Sequence, residues 1–233
     1  VEVDQRIGAS AGARHRHRHR RRQRRRDRRG FGGIVNQVVA VAITEMMVSG
    51  GCPDQRIITR PADQRIAAGA AIDNIIAGNT GDNTLDGGSG TDTVDYSVAT
   101  SGITVDLADG SAQTVGGGMG VDTLANFENL TGSAYADSLL GDAGANMIYG
   151  ADGDDFMNNY GGDDVLYGGD GADDLNGYTG VDTVYGDGGA DLLYGSDDDD
   201  TVYGGAGNDT IWGQKDNDVL YGGDDNDLIY GIY

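Results

Sequence analysis

A nine-residue period, repeated without insertion or deletion, is the feature that most constrains the fold of this chain. From Gly132 to Tyr230 the sequence divides into eleven units of nine residues, such as GGAGNDTIW at 204–212. The first position is Gly in ten units and the sixth is Asp in ten; Asn159 and Asn146 are the exceptions. The eighth position is aliphatic or Met in all eleven. Such a period predicts stacked units, because one unit is too small to bury a core alone.

The same frame recurs upstream, after a gap. Residues 69–95 read GAAIDNIIA, GNTGDNTLD and GGSGTDTVD, and their sixth positions are Asn74, Asn83 and Asp92. Residues 96–131 equal four periods in length but lack the repeat, and GITVDL within them alternates as a strand does. We predict degenerate repeats over 66–95, an insertion of extended strands over 96–131 that keeps the phase of the solenoid, and a repeat roll over 132–233.

Each position of the unit has a distinct physical role. Positions one to six are rich in Gly, Asp and Asn, which tolerate positive φ and tight turns. Positions seven to nine, such as TVY or TIW, are β-branched, aliphatic and aromatic, and favour a three-residue strand. Side chains alternate along a strand, so the eighth residue should point inward and the seventh and ninth outward. Two units close one coil, and the predicted fold class is an all-β, two-sheet parallel solenoid.

The charge of the chain is divided between two opposite parts. Residues 1–65 carry 15 of the 16 Lys and Arg and 6 of the 38 Asp and Glu, a sum of +9. Residues 66–233 carry Lys215 and 32 acidic residues, a sum of −31. The acidic part would repel nucleic acid, and its self-repulsion opposes compaction unless counter-ions neutralise it.

The sixth positions predict where those counter-ions bind. With two units per coil, sixth-position residues form two columns with carboxylates about 5 Å apart, which repel one another strongly. A hard cation between successive loops would relieve this repulsion, and calcium accepts carboxylate and carbonyl oxygens in flexible geometry. Zinc is disfavoured because residues 66–233 contain no His or Cys. One column is Asp137, Asp155, Asp173, Asp191, Asp209 and Asp227, and the other is Asn146, Asp164, Asp182, Asp200 and Asp218.

The repeat resembles the RTX family of calcium-binding nonapeptide repeats, whose pattern is G-G-x-G-x-D-x-U-x. The resemblance covers 132–230 closely and 69–95 more loosely. It implies a right-handed parallel β-roll with several Ca²⁺ ions between the loops of neighbouring coils. It implies side-chain ligands at Asp92, Asp137, Asp155, Asp164, Asp173, Asp182, Asp191, Asp200, Asp209, Asp218 and Asp227. It implies carbonyl ligands in the loops at Gly153, Gly162, Gly171, Gly180, Gly189 and Gly207.

Several units depart from the family pattern. The fourth position is Asp rather than Gly at Asp198, Asp216 and Asp225, which would strain the loop or add ligands. Asn74, Asn83 and Asn146 are neutral, so sites that use them should be weaker or empty. Asp200 is in phase, whereas Asp197–Asp199 would equally suit a solvated acidic loop.

The resemblance also implies a function. Relatives are secreted bacterial toxins, proteases, lipases and surface proteins, exported unfolded by a type I system. We expect a calcium-binding module of a secreted or cell-surface protein that folds on Ca²⁺ outside the cell. The alternatives are the C-terminal tail of a secreted protease or lipase and a repeat adhesin or surface-layer component. We expect no enzyme activity in this chain, because it has no HExxH or GxSxG motif and its one Cys, Cys52, has no evident base.

Tyrosines at the ninth position form a further column. They recur at every second unit, as Tyr149, Tyr167, Tyr185, Tyr203 and Tyr221. One interpretation is cross-strand packing that stiffens the sheet. The other is an outward aromatic face that binds a glycan or another protein.

The N-terminal part of the chain, 1–65, has a different character. Residues 14–30 are a dense Arg/His tract, which suits a nucleic-acid or membrane-surface arm, an export signal, or low-complexity sequence without a fold. The most apolar stretch, 34–48, is too short and too polar to span a bilayer. We predict a basic, unstructured or targeting-like segment over 1–65. The chain ends just beyond a complete unit, and we expect more chain to follow.

Overall fold

The computed structural model describes residues 39–41, 45–47, 55–59, 64–67 and 73–231. Within these ranges the chain forms β-strands joined by turns and contains no helix, and therefore none that could span a membrane. Every strand pairing is parallel except that between β9 and β10. The predicted all-β parallel solenoid is confirmed.

The strands follow one another at short intervals. They are β1 (Val39–Val41), β2 (Glu45–Met47), β3 (Gln55–Thr59), β4 (Gln64–Ala67), β5 (Asn74–Ala77), β6 (Asn83–Asp86), β7 (Thr93–Asp95), β8 (Thr104–Asp106), β9 (Ala112–Thr114), β10 (Val121–Ala125) and β11 (Asn129–Thr131). The repeat block then contributes β12 (Ser138–Leu140), β13 (Met147–Asp152), β14 (Phe156–Asn158), β15 (Val165–Asp170), β16 (Asp174–Thr179), β17 (Thr183–Gly188), β18 (Leu192–Asp197), β19 (Thr201–Ala206), β20 (Thr210–Gln214), β21 (Val219–Asp224) and β22 (Leu228–Tyr230).

Alternate strands join the same sheet. Sheet 1 has the order β1-β3-β5-β7-β11-β13-β15-β17-β19-β21, sheet 2 has β2-β4-β6-β10-β9, and sheet 3 has β8-β12-β14-β16-β18-β20-β22. In the repeat block each residue pairs with the same position two units further along, as Leu166 with Val184 and Leu175 with Leu193. Two nine-residue units therefore make one coil, as the sequence period predicts.

The core is a single file of eighth-position side chains. Leu139, Ile148, Met157, Leu166, Leu175, Val184, Leu193, Val202 and Ile211 each have 0% exposure. Their seventh- and ninth-position neighbours are only partly covered in most units, as in β17. The alternation confirms that the eighth residue points inward. Ile229 occupies the same position in the last unit described and is 47% exposed, since no further coil is present to cover it.

The strands are longer than the sequence predicts. A three-residue strand was expected at positions seven to nine, but β15 to β19 have six residues and continue through positions one to three of the next unit. Register pairs such as Asp170 with Gly188 show that these glycine-rich positions stay in the ladder. The loop proper is therefore only positions four to six.

Residues 96–131 form one enlarged coil. β7 pairs directly with β11, which lies four units further along the chain, so sheet 1 passes the insertion without a break. The opposite side divides between two sheets. β10 pairs with β6, and the antiparallel β9 on its far edge ends sheet 2, whereas β8 pairs with β12 and begins sheet 3. The fully buried Tyr96 fills the widened interior with Met119 and Val115.

Residues 1–65, predicted to be a basic, unstructured or targeting-like segment, contain β1, β2, β3 and the start of β4. These short strands extend sheets 1 and 2. Their partners lie two units away or slightly further, as Val39 with Ile57, Gln64 with Asn83 and Glu45 with Arg65. A fixed nine-residue frame misses strands with such variable spacing. The Arg/His tract at 14–30 lies outside the described residues.

From Gly150 onward, positions two and four of every unit have positive φ. This predicts a stabilising substitution. Asp216 occupies a fourth position at φ 71°, where Gly153 and Gly207 have φ 130° and 132°. Asp216→Gly should stabilise the folded roll by about 1 kcal/mol, because a left-handed backbone costs about 1–2 kcal/mol in residues with a Cβ. Thermal unfolding measures this. Asp199 follows the fourth-position Asp198 and does not have positive φ, so Asp199→Gly should lower the stability of the roll. If Asp199→Gly stabilised the roll as much as Asp216→Gly, backbone strain at the fourth position would not explain the effect.

Candidate metal centre

The sixth-position carboxylates are fixed by a ladder of hydrogen bonds between coils. The backbone N–H of Asp155 donates to Oδ1 of Asp173 at 2.8 Å, and the N–H of Asp164 donates to Oδ1 of Asp182 at 2.8 Å. The same contact recurs in nine successive pairs of the repeat block, at 2.7–3.1 Å. Each carboxylate is thus held one coil from the next, in the two predicted columns.

The second oxygen of most of these carboxylates is buried without a partner. No protein donor reaches Oδ2 of Asp92, Asp155, Asp164, Asp173, Asp182, Asp191, Asp200 or Asp209. These eight residues are at most 2% exposed. A buried polar oxygen without a hydrogen bond is destabilising, and a buried carboxylate is more so, which means that such a column calls for a cation.

The first-position glycine forms the wall beside each unpaired oxygen. A Cβ on Gly168 would overlap Oδ2 of Asp173 and would lie 2.7 Å from the carbonyl oxygen of Gly186, one coil away. Gly186 has the same relation to Asp191 and to the carbonyl of Gly204. In the column of Gly132, Gly150, Gly168, Gly186 and Gly204, the space beside each glycine is therefore lined by a carboxylate oxygen and a backbone carbonyl oxygen. These are the oxygen ligands that calcium prefers, and the donor set fits this ion.

The fourth-position carbonyls line the seam between loops. The carbonyl oxygens of Gly153, Gly162, Gly171 and Gly189 lie where a Cβ on the matching glycine of the next coil would stand. These are four of the six predicted carbonyl ligands. Gly180 and Gly207 occupy the same fourth position, and their φ values of 124° and 132° are also positive.

Three of the predicted carboxylate ligands have different surroundings. Asp137 accepts the N–H of Ser133 on Oδ2, and the hydroxyl of Ser133 and the N–H of Ile103 on Oδ1, so protein donors satisfy both oxygens. Asp218 and Asp227 lie in the last coil and are only partly buried. The eight carboxylates with an unpaired oxygen are thus the strongest candidates.

Two acidic residues in the insertion occupy the same places, and the sequence analysis missed them. Oδ1 of Asp122 accepts the N–H of Asn83 at 2.9 Å, and Oε2 of Glu128 accepts the N–H of Asp92 at 2.7 Å. Both residues could have been recognised in the sequence. Asp122 lies in GVDTL at 120–124, which resembles GVDTV at 180–184, and Glu128 is in phase with the sixth position of the repeat. Asp122 needs no cation, because the hydroxyl of Tyr96 donates to its Oδ2 at 2.8 Å.

At Asn74 and Asn83 the sixth-position amide adds a hydrogen bond to the carboxylate of the facing coil. The side-chain Nδ2 of Asn74 donates to Asp92 Oδ1 at 2.7 Å, and that of Asn83 donates to Asp122 Oδ1 at 2.9 Å. A neutral amide here gives the facing carboxylate a donor within the protein.

Two exceptions to the repeat, Asn146 and Asn159, lie at one level of one column. Asn159 replaces a first-position glycine, is 0% exposed, and makes no hydrogen bond with either amide atom. A Cβ on Gly141 would lie 2.5 Å from Oδ1 of Asn146 and 2.9 Å from Oδ1 of Asn159. In other units this space holds one carboxylate oxygen and is otherwise left open by a first-position glycine; we call this open space the cradle. At this level two side-chain amides fill it.

The carboxylates do not cluster in threes. Within the described ranges, no three His, Cys, Asp or Glu side chains converge on one point. The columns separate the carboxylates by whole coils, so any ion held here must take much of its coordination from the loop carbonyls.

Burial shifts the ionisation of the columns. It raises the pKa from 3.8 to about 7 in Asp155, Asp182, Asp191 and Asp200, with neighbouring carboxylates adding to the shift. Burial likewise raises the pKa of Asp164 to about 7 and that of Asp173 to about 6. Without a cation, the folded roll therefore binds protons that the unfolded chain releases.

These shifts predict how the stability of the metal-free roll depends on pH. Because the folded pKa values exceed the unfolded ones, stability is greatest below about pH 4 and is lost as pH rises through about 6 to 7. Far-UV circular dichroism of the chain dialysed free of divalent cations should show strand signal near pH 5 that declines by pH 8. The same scan in saturating calcium is the control and should stay flat. A metal-free signal that increases with pH would contradict the prediction.

The predicted tyrosine face is a continuous stack of rings. Consecutive rings from Tyr149 to Tyr221 lie 4.6–4.9 Å apart and within 7° of parallel. Tyr194, Trp212 and Tyr230 form a second stack on sheet 3. Each inner ring has both faces covered by its neighbours, which favours the packing interpretation over stacking on a ligand.

Comparison with known proteins agrees with the geometry of the columns. The model of the RTX calcium-binding nonapeptide repeat matches residues 69–97, 126–157, 158–193, 176–211 and 194–229. The unmatched residues 98–125 fall in the enlarged coil. No match was found among curated proteins. The repeats are calcium-binding, and several of them imply several Ca²⁺ ions. On this match over more than half of its length, the chain belongs to the RTX calcium-binding nonapeptide repeat family.

Proposed function

We propose that the chain is a calcium-dependent folding module of a secreted protein. The observation that carries the proposal is the set of eight buried carboxylate oxygens without protein partners, arranged in two columns. Bringing these groups together at neutral pH is electrostatically unfavourable in a segment with a charge of −31. Calcium would supply the positive charge that offsets this repulsion, so the binding free energy becomes folding free energy.

Several features of the chain support this role. The sixth-position side chains anchor the backbone of the neighbouring coil, and the loop carbonyls lie along the same seam. Each coil contacts only its neighbours, so ordering one coil prepares the next, and the transition should be cooperative. Affinities of extracellular calcium modules are about 10⁻⁴–10⁻³ M. At such affinities the chain would stay open in a cytosol and fold outside the cell, at the cell surface or in the medium.

The proposed role is binding rather than catalysis. Residues 66–233 contain no His and no Cys, so the nucleophiles and bases of many hydrolases are absent from the sequence of the roll. The carboxylates that burial perturbs are spread along two columns, and within the described ranges they do not converge at one point. Any activity of a parent protein would, on this proposal, reside in another part of it.

A calcium titration tests the proposal. At about pH 8, far-UV circular dichroism of the full chain should change from coil to strand as calcium is added, with a sigmoidal dependence. Magnesium at the same concentrations should not suffice, because it requires a tighter octahedral shell than flexible loops provide. A chain that is fully strand-structured at this pH without divalent cations, and that does not respond to calcium, would refute the mechanism.

A further inference from the structure

The outer face of sheet 3 carries a groove that is separate from the calcium columns. It crosses β16, β18 and β20, has a volume of about 290 Å³, and is lined by Asn176, Tyr178, Thr179, Ser196, Asp197 and Gln214. Tyr178, Ser196 and Gln214 are register partners on three successive strands. The small Ser196 lies between two larger residues whose backbones are two strand spacings, or about 10 Å, apart, and it forms the buried floor of a notch between them.

The notch residues adopt a backbone conformation that favours glycine. Tyr178, Ser196 and Gln214 are second-position residues with φ of 79°, 92° and 76°, where Gly169 and Gly205 have φ of 110° and 115°. Side chains at positive φ cost stability, and such outliers occur often at ligand sites. With Tyr160 at φ 55°, four consecutive coils thus carry polar or aromatic side chains at a position where glycine would be more stable, and the groove lies across three of them.

A directional hydrogen-bond chain orients the polar groups of the groove. Gln214 Nε2 donates to Ser196 Oγ at 3.2 Å, and Ser196 Oγ donates to Asn176 Oδ1 at 2.9 Å. The N–H of Tyr178 also donates to Asn176 Oδ1, at 3.1 Å. The amide of Asn176 is therefore fixed with Nδ2 as its remaining donor, and that of Gln214 with Oε1 as its remaining acceptor. A donor and an acceptor at opposite ends of a notch suit the hydroxyl groups of a sugar.

The aromatic wall of the groove is open on one side. Tyr178 is 45% exposed, and among the described rings it contacts only Tyr160, tilted by 55° at 6.3 Å. Its side towards Ser196 carries no ring, whereas the inner tyrosines of the stacked column have both faces covered. An exposed aromatic face beside oriented amides provides apolar contact for one face of a pyranose ring.

The charge of the groove selects a neutral ligand. Asp197 forms an ion pair with Lys215 at 2.6 Å, so the acidic group of the lining is neutralised. The surrounding acidic roll would repel anionic sugars. We propose that this groove binds one neutral pyranose residue, stacked on Tyr178 and hydrogen-bonded to Asn176 and Gln214. The proposal goes beyond calcium binding and needs only that the roll be folded.

Two NMR measurements on the calcium-loaded full chain test the proposal: saturation transfer observed on the ligand, and side-chain amide signals observed on the protein. The probes are methyl α-D-glucopyranoside, methyl α-D-mannopyranoside and methyl β-D-galactopyranoside, with methyl β-D-glucuronide as the charged control. At least one neutral glycoside should show saturation transfer and shift the side-chain amide signals of Asn176 and Gln214, and the glucuronide should not. The same sugar at the end of a longer oligosaccharide separates the two sources: tighter binding of the oligosaccharide indicates a glycan rather than a free sugar.

Two matched variants make the test specific. Tyr178→Gly removes the aromatic wall while placing glycine at positive φ, so the fold is kept and binding should weaken about tenfold. Tyr160→Gly makes the same change one coil away, outside the groove, and binding should stay within about twofold of wild type. Asn176→Asp keeps the acceptor Oδ1, removes the Nδ2 donor, and should also weaken binding about tenfold. The proposal is overturned if no neutral probe binds, if both tyrosine variants weaken binding equally, or if the shifts map to the stacked tyrosine column.

Discussion

Asp173→Ala combined with Asp191→Ala should raise the midpoint calcium concentration for folding by at least about tenfold and reduce the steepness of the transition. The two residues are consecutive in one column, and the N–H of Asp173 donates to Oδ1 of Asp191 at 2.9 Å. Oδ2 of each is among the unpaired oxygens, so the double variant removes two of the proposed ligand oxygens and two steps of the ladder. Because the residues are adjacent, the loss should differ from the sum of the single losses.

The control for this pair removes the same number of negative charges but leaves the carboxylate columns unchanged. Asp152 and Asp170 are third-position residues with exposed side chains, one coil apart and paired in register on sheet 1. Asp152→Ala with Asp170→Ala also removes two negative charges, but it leaves the columns intact, and its midpoint should move less than about twofold. Calcium titrations followed by circular dichroism measure both variants. Equal shifts in the two would mean that net charge, and not ligation, sets the calcium requirement.

Asn146→Asp combined with Asn159→Gly should add one bound calcium ion to the chain. The two changes restore the carboxylate and the empty first-position cradle that neighbouring units have, at the level where two amides now lie. The backbone needs no rearrangement, because the N–H of Asn146 already donates to Oδ1 of Asp164 at 2.7 Å, as sixth-position residues do elsewhere. Isothermal titration calorimetry at about pH 8, with metal analysis of the desalted protein, gives the stoichiometry.

Single variants separate the two requirements of that site. Asn159→Gly alone opens the cradle but leaves a neutral sixth position, and Asn146→Asp alone leaves the cradle occupied by an amide, so neither should add a full-affinity ion. A double variant with unchanged stoichiometry would show that this level of the column does not bind calcium even with a carboxylate in place.

The period of the sequence predicts the parts of the fold that repeat. The inward position of Ile211 and the burial of Asp200 follow from two units per coil, because every coil presents the same neighbours. The strand length was underestimated because Gly and Asp at positions one to three have low strand propensity alone. Their place in the ladder comes from pairing with similar backbone one coil away.

The features that depart from the nine-residue period could be recognised only in the structure. The role of Asp122 depends on an insertion that carries it beneath Asn83 through a chain separation of 39 residues. The partnership of Asn146 and Asn159 joins two separate exceptions, and neither suggests the other until the coils are stacked. The groove at Tyr178 likewise combines residues from three coils, and no linear motif marks it.

The nearest-neighbour ladder gives the protein a simple mechanical character. Each coil of the repeat block is held by the next through strand pairing and by one carboxylate contact in each column. Tension applied along the axis would therefore detach coils one at a time, because each coil is held only by its neighbours. Each step would release two nine-residue units, or about 60 Å of extended chain. The roll would yield to force as a series of small equal extensions, and in calcium each extension would be reversed when the force falls.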